Sequence, residues 1–205
     1  MDFVKNNISA ILEKTTEHLY ISALGLLIGV FIAVPLGIIL SNSKKLSKPV
    51  ITLCSILQTI PSFALLALMI PFMGVGKKPA IIAMFIYSLL PIMRNTYLGM
   101  TGVDENVVDC AKGMGFTKKQ IIFKVKLPLA TAVIMSGIRL SAVYVLSWAT
   151  IASYIGAGGL GDFIFNGLQN YIPEMILAGT IPVTILALFT DFILGKLEEK
   201  LSPIK

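Results

Sequence analysis

The sequence predicts an all-α integral membrane protein with about five transmembrane helices. Of its 205 residues, 56% are hydrophobic and only 14% are charged, whereas soluble domains usually carry about 25% charged residues. The hydrophobic residues are also clustered into long uncharged stretches, and most of the charges fall between them. Because a helix of about 20 apolar residues crosses a bilayer core of about 30 Å, each such stretch is a candidate span.

The first two predicted spans are separated by a short basic loop. Leu19–Leu40 is twenty-two residues long and uncharged, which is enough to cross the membrane. The mixed, charged residues 1–18 lack the apolar core of a cleavable signal peptide. Residues 41–49 carry three lysines, and Val50–Met73 is the second uncharged stretch, which ends at Gly74.

Three further spans are predicted over residues 79–100, 128–151 and 173–195. Each begins at a proline, a residue that is well tolerated in the first turn of a helix. A charged insert separates the third span from the fourth, and a glycine-rich segment, 156–161, precedes the fifth. We see no internal repeat and no second domain.

The distribution of lysine and arginine predicts the orientation. An odd number of spans places the two termini on opposite faces of the membrane. One face would carry twelve positive residues if it contains the 41–49 loop, the 94–127 segment and the tail after residue 195. The other face would then carry four. Since positive residues are retained in the cytoplasm, we expect the N-terminus outside and the C-terminus inside.

Several functional classes are disfavoured by the composition. The net charge of +6 reflects loops between spans, so membrane orientation explains it better than nucleic-acid binding. His18 is the only histidine, and Cys54 and Cys110 form no CxxC or Cys/His cluster, so we expect neither a metal site nor a disulfide. The carboxylates show no nucleophile–base spacing that predicts catalysis. Residues 156–161 match GxGxxG, but they follow a predicted membrane helix instead of a strand, so we expect no nucleotide site.

The charged insert runs from Asp109 to Pro128 and contains five lysines, which favour the cytoplasmic side. Gly115 predicts a break between two short helices, and hence a compact knob, because glycine accommodates the backbone turn at a helix end. Pro128 is expected to begin the next membrane helix, so a displacement of the knob would be passed into that helix.

The spacing of the insert resembles the EAA loop of type I ABC importer permeases, which reads Glu-Ala-Ala, three residues, Gly, nine residues, Ile-x-Leu-Pro. Three of the seven matching positions differ conservatively, with Asp for Glu, Cys for Ala and Val for Ile. In that family the loop docks on an ATPase subunit. The resemblance implies two ATPase subunits that bind ATP and Mg, a second permease subunit, identical or related, and no cofactor in this chain. The matching residues are Asp109, Cys110, Ala111, Gly115, Val125, Leu127 and Pro128.

Three other segments, 61–68, 90–97 and 155–164, resemble the osmoprotectant branch of these permeases. The branch imports glycine betaine, carnitine or choline that an external binding protein delivers. Relatives that import ergothioneine or other trimethylammonium or amino-acid-like solutes share the same segments. The resemblance covers residues 15–198, which we interpret as one type-1 transmembrane domain followed by a cytoplasmic tail, 199–205. It implies a multi-pass protein of the bacterial plasma membrane without an ATP site of its own.

Polar and aromatic residues within the spans are candidates for a translocation pathway, because polar groups inside a membrane are costly. Gln58 and Pro61 lie in the second span, where they predict either a kink that lines the pathway or a purely structural kink. Tyr144 and Trp148 share one helix face, and a quaternary ammonium group over such rings gains about 0.5–2 kcal/mol. Packing between helices is the alternative for these rings and for Tyr87 in the third span.

Arg139 lies in the fourth span, about 16 Å beyond Pro128 at helical rise and therefore near the midplane. Asp191 lies close to the end of the fifth span, about 10 Å nearer the cytoplasmic face. We therefore expect the two not to pair. Arg139 is expected to bind exposed carbonyl groups between helices, with a substrate carboxylate as the alternative partner.

Two other classes of membrane protein fit less well. A secondary transporter or channel usually carries intramembrane acids, and only Asp191 in the fifth span meets that description. Five spans also do not divide into the inverted repeats of many such transporters. An integral membrane enzyme would require an acid–base cluster that the sequence lacks.

Overall fold

The computed structural model describes residue 3 and residues 6–202, and over these residues the chain is helical without a strand. The predicted all-α class is therefore confirmed. Lys5, which was counted on the outer face, and residues 203–205 of the predicted tail lie outside the described residues. The helices discussed below are α1 (Ile8–Ser41), α2 (Lys44–Thr59), α3 (Ser62–Met73), α4 (Lys77–Thr101), α5 (Glu105–Gly113), α6 (Lys118–Ile155), α7 (Gly161–Gln169) and α8 (Pro173–Leu201).

The direction of α1 relative to α4 gives the number of membrane crossings. A Cβ added at Gly25 would meet Met84, and one added at Gly37 would meet Thr96, so the two helices run parallel in close contact. Small residues allow this approach of membrane helices. The chain between them must therefore cross back. Together α2 and α3 make that crossing, because α3 leads into Lys77, whose Nζ lies 2.7 Å from Glu17 Oε1 near the start of α1.

The other long helices complete five crossings. Helix α6 runs antiparallel to α4, since Gly99 faces Ala130 while the Ser141 hydroxyl donates to the Ser88 carbonyl. Helix α8 returns antiparallel to α6. We call the end of the bundle where α1 begins the N-terminal face, and the end where α8 finishes the C-terminal face. The two ends of the described chain thus lie on opposite faces, as predicted.

The second span differs from its prediction. The uncharged stretch Val50–Met73 is not one helix, because α2 and α3 meet at an angle of 94°. Ile60 has an extended ψ of 124°, which a following proline favours by disfavouring the helical conformation of the residue before it. Pro61 also has no N–H with which to continue the ladder. We refer to Ile60–Pro61 as the hinge.

The boundaries near the C-terminal face also differ. The predicted 41–49 loop is reduced to Asn42 and Ser43, because α2 begins at Lys44. The fourth span does not begin at Pro128, since α6 starts at Lys118 and passes through a π-helical segment, Ile121–Lys126. The second half of the charged insert is therefore continuous with the fourth span, which joins the knob and the membrane helix more directly than the sequence suggested.

Candidate translocation pathway and coupling segment

Two hydrogen bonds hold the hinge against α4. The Tyr87 hydroxyl donates to the Ile60 carbonyl at 2.9 Å, and the Gln58 side-chain amide donates to the Tyr87 carbonyl at 2.9 Å. The Ile60 carbonyl would accept from Ala64 in a continuous helix, so the bend leaves it in need of a donor. Tyr87 is only 2% exposed and supplies that donor from inside the bundle.

Three predicted pathway residues form a row of rings beside the hinge. The Tyr87 and Trp148 ring centroids lie 4.3 Å apart, and those of Trp148 and Tyr144 lie 5.5 Å apart. We call Tyr87, Trp148 and Tyr144 the ring row. It extends from the core to the surface of the chain, because Tyr87 is buried while Tyr144 is 43% exposed. The fold therefore brings Gln58, Pro61 and the ring row together.

Replacing Tyr87 with Phe tests the hinge bond. The ring and its contact with Trp148 would remain, but the Ile60 carbonyl would lose its donor. A hydrogen bond of this kind contributes about 0.5–1.5 kcal/mol to stability, so we expect a lower melting temperature of the purified complex and slower transport. Tyr97→Phe is the matched control on α4, because the structure shows no hydrogen bond from its hydroxyl to the described residues. Equal melting temperatures for the two variants would contradict this role.

Arg139 binds carboxylates on α8, so the expectation that it does not pair with Asp191 is wrong. Its Nε and Nη2 bind the two Asp191 carboxylate oxygens at 2.6 and 2.7 Å, and its Nη1 lies 3.4 Å from Glu198. The prediction compared backbone depths, whereas an arginine side chain extends well beyond its own Cα. Helix α8 also continues to Leu201, which places Asp191 and Glu198 two turns apart on one face.

The charged insert forms two short helical segments joined by a tight turn. Asp104 caps α5 by accepting a hydrogen bond from the Asn106 N–H at 2.9 Å. Thr117 and Gln120 form a capping box at the start of α6, an arrangement that satisfies free N–H groups at a helix start. We call residues 105–126 the knob. It lies at the C-terminal face, between the end of α4 and the membrane part of α6.

Gly115 forms the turn of the knob. Its φ is +82°, a left-handed conformation that costs other L-residues about 1–2 kcal/mol. The Gly115 N–H donates to the Lys112 carbonyl at 2.9 Å, and the Phe116 N–H donates to the Ala111 carbonyl at 3.1 Å. This pair of bonds is the Schellman motif that ends many helices at a glycine. No heavy atom lies within 4 Å of a Cβ built at Gly115, so the turn projects from this chain.

The other predicted coupling residues surround that turn. Asp109 and Cys110 are exposed, whereas Ala111 is buried against the chain. The Asp109 carboxylate binds Lys112 Nζ at 2.8 Å, and this hydrogen bond raises the pKa of Lys112 above its usual value. Val125 and Leu127 are half-buried in α6, and Pro128 is exposed within it.

An ion network that the sequence did not predict lies at the N-terminal face. Glu17 accepts hydrogen bonds from Lys77 at 2.7 Å, from Lys14 at 3.0 Å and from the Gly159 N–H at 3.2 Å. Lys14 also binds Asp162 at 2.7 Å. The network joins the starts of α1, α4 and α7 to the glycine-rich turn. Lys14 and Glu17 are only three residues apart on α1. The contacts with Lys77, Gly159 and Asp162 follow from no local pattern, because these residues are far from α1 in the chain.

An aromatic cluster at the same face was also missed. Phe63, two residues after Pro61, packs edge-on against Tyr154 with centroids 5.3 Å apart, and Phe165 lies 5.6 Å from Tyr154. We call Phe63, Tyr154 and Phe165 the outer ring cluster. The glycine-rich turn leads from Tyr154 into α7, with left-handed Gly156, Gly158 and Gly159.

The described chain combines a bent second span, five crossings and a knob between the third and fourth spans. A chain from the inward-facing crystal structure of the MetNI methionine ABC transporter has the same fold, with a TM-score of 0.84 over 93% of this chain and 95% of that one at 22% identity. At this level of identity the likeness establishes a shared fold.

The chain belongs to the family of binding-protein-dependent transport system inner membrane components, whose model matches residues 25–203. It is 57% identical to the carnitine transport permease protein OpuCB of Listeria monocytogenes, over 98% of this chain and 92% of the relative. It is 51% identical to the glycine betaine/carnitine/choline transport system permease protein OpuCB of Bacillus subtilis, over 99% of this chain and 94% of the relative. The protein is thus a multi-pass permease of the bacterial inner membrane, and its resemblance to osmoprotectant permeases is confirmed.

Proposed function

We propose that this chain is the permease subunit of an ATP-driven importer for a small quaternary ammonium solute, with glycine betaine, carnitine and choline as the candidate substrates. The observation that carries the proposal is its full-length similarity to relatives named for these three solutes. The ring row supports it, because aromatic faces attract quaternary ammonium groups. An external binding protein delivers the solute, and separate ATPase subunits bind and hydrolyse ATP.

The knob is the proposed contact with the ATPase. Its turn at Gly115 projects from the chain, and Lys118, Lys119 and Lys124 are exposed beside it. Charged groups at such a surface favour a specific partner orientation. Because the second half of the knob is continuous with α6, a movement of the ATPase is passed along α6 to Tyr144 and Trp148.

Reconstitution tests the function. The permease, co-expressed with its neighbouring genes, should co-purify with an ATPase subunit, and the mass of the complex should show two permease subunits. In nanodiscs with the binding protein, ATP hydrolysis should rise with glycine betaine, carnitine or choline. Stimulation by ergothioneine alone would show that the substrate is a different trimethylammonium compound. Import that continues without any ATPase subunit would contradict the proposal in favour of a secondary transporter.

Native Cys110 provides a test of orientation. It is exposed in α5, and we propose that the C-terminal face is cytoplasmic. An impermeant maleimide should therefore label Cys110 in inverted vesicles and not in intact cells, with Cys110→Ser as the control. In that Cys110→Ser background, Lys78→Cys at the exposed start of α4 should be labelled in intact cells. The reverse pattern would overturn both the orientation and the proposed contact of the knob with the ATPase.

A further inference from the structure

A small cavity opens at the N-terminal face, apart from the ring row and the knob. Its volume is about 250 Å³, below the range of about 300–1,000 Å³ found for pockets that hold drug-sized ligands. It therefore suits a smaller solute. We call it the outer cavity. Its lining residues are Ser153, Tyr154, Asp162, Phe165, Asn166 and Gln169.

The cavity joins aromatic rings to polar groups. Tyr154 and Phe165 belong both to its lining and to the outer ring cluster, and Phe63 completes that cluster at 6.5 Å from Phe165. Tyr154 is 60% exposed and Phe63 is 45% exposed. Part of each ring face is therefore open, and a ligand can reach it.

The polar residues of the lining can interact with both ends of a quaternary ammonium solute. The Asp162 carboxylate is held in place by Lys14 at 2.7 Å and contributes negative charge to one wall. Asn166 and Gln169 are exposed, and within the described residues their side-chain amides make no hydrogen bond. These amides can donate to a carboxylate or hydroxyl group of the solute.

We propose that the outer cavity is a receiving site for the quaternary ammonium group of the solute, placed where the solute enters the permease. This inference rests on the proposed function and adds to it a ligand site distinct from the ring row. The trimethylammonium group lies against Tyr154 and Phe165 with Asp162 beside it.

The position of the cavity relative to the hinge gives it a connection to the pathway. Phe63 follows the hinge by two residues and touches both rings of the cavity wall. On the other side of the hinge, Ile60 accepts the hydrogen bond from Tyr87 of the ring row. A change in the hinge angle therefore moves the outer ring cluster and the ring row together.

The test uses the permease–ATPase complex in nanodiscs without the binding protein, with choline and its uncharged carbon isostere 3,3-dimethylbutan-1-ol as probes. Binding is measured by saturation-transfer NMR and calorimetry. We expect choline to bind more tightly than the isostere. Tyr154→Leu should weaken choline binding about 2- to 30-fold, which is the range that cation–π energies give. Tyr154→Phe and Tyr154→Trp should retain it, and Tyr171→Leu, which removes a 90% exposed tyrosine outside the cluster, should have no effect.

The outcomes separate this inference from the proposed function. The inference is overturned if Tyr154→Leu leaves choline affinity unchanged, or if it weakens choline and the isostere equally, since the rings would then act only as packing. A loss of choline binding in Tyr144→Leu alone would place the ligand in the ring row instead. If the wild-type complex with its binding protein imports no quaternary ammonium compound, the proposed function itself fails. If import is normal and Tyr154→Leu leaves choline binding unchanged, only the outer cavity is ruled out as a ligand site.

Discussion

Replacing Gly115 with Val is expected to reduce ligand-stimulated ATP hydrolysis by about tenfold or more while the permease remains in the membrane at near-normal abundance. Gly115 holds the turn of the knob at a φ of +82°, and an L-residue pays about 1–2 kcal/mol in this region. A branched Cβ adds crowding. Because about 1.4 kcal/mol is a tenfold change in population, the native turn would lose about tenfold in population relative to alternative loop conformations.

The expected effect is confined to the knob because a side chain at residue 115 would touch no other part of the described chain. Within the described chain no heavy atom lies within 4 Å of a Cβ at Gly115, so the membrane helices should pack normally. Asp109→Ala should act in the same direction but more weakly. It removes an exposed ion pair with Lys112, and such pairs contribute little.

Two further variants separate backbone strain from collision with the partner. Gly113→Val makes the same chemical change two residues earlier, at a helical position that also has open space around it, and it should fold normally. Gly115→Asn should recover much of the activity, because Asn tolerates the left-handed conformation better than other residues. The measurements are membrane abundance, ATPase co-purification and ligand-stimulated hydrolysis. Normal ligand-stimulated hydrolysis in Gly115→Val would show that the knob does not couple the permease to the ATPase.

The knob could be predicted from the sequence because its determinants are local. Each contact that shapes the knob joins residues only a few positions apart in the chain. These contacts are made by Asp104 at the helix start, by Gly115 at the turn, and by Thr117 with Gln120 in the capping box. The spans could be predicted for a related reason, since the length and composition of a stretch decide whether it can cross a bilayer. Neither prediction required knowledge of which helices are neighbours.

The features that sequence analysis missed all depend on neighbours. A kink at Pro61 was predictable, but its 94° angle also depends on Tyr87 from another helix, which satisfies the Ile60 carbonyl. The outer ring cluster joins Phe63 to Tyr154 and Phe165, which lie far away in the chain. The glycine-rich segment 156–161 is visible in the sequence, but only the fold shows that its turn sets Phe165 beside Tyr154.

The pairing of Arg139 shows the same limit in its strongest form. Depth along each helix was predicted from residue counts, which put the two backbones at different levels. The side chain of Arg139 covers the difference and reaches two carboxylates on α8. A prediction from backbone rise alone therefore failed at a residue whose side chain is long enough to bridge between levels.

Arg139→Leu is expected to lower membrane abundance several-fold. The change would leave Asp191 and Glu198 near each other on α8 without the guanidinium that binds both. Uncompensated charge is costly in and near the bilayer core, and removing one partner of an ion pair is usually worse than removing the whole pair. Arg139→Lys should recover only part of the abundance, because a lysine cannot make the two parallel hydrogen bonds to Asp191.

Arg94→Leu is the matched control for the loss of one positive charge. Arg94 is exposed on α4, and within the described residues it forms no ion pair, so its replacement should leave abundance close to that of the wild type. Abundance is measured by quantitative blotting of isolated membranes, and stability by the melting temperature of the detergent-solubilised protein. Equal abundance for Arg139→Leu and Arg94→Leu would show that the pair is not needed for assembly.

Removing all three charges distinguishes the two ways in which the Arg139 cluster could matter. If the cost of Arg139→Leu comes from stranded carboxylates, then Arg139→Leu combined with Asp191→Leu and Glu198→Gln should restore abundance, because a neutral contact replaces the ion pair. Transport by this triple variant then reports whether the charges themselves contribute to function. Normal abundance without transport would make the cluster part of the moving machinery between α6 and α8. Abundance that stays low in the triple variant would show that the geometry of the bidentate pair, rather than its charge balance, holds α8 against α6.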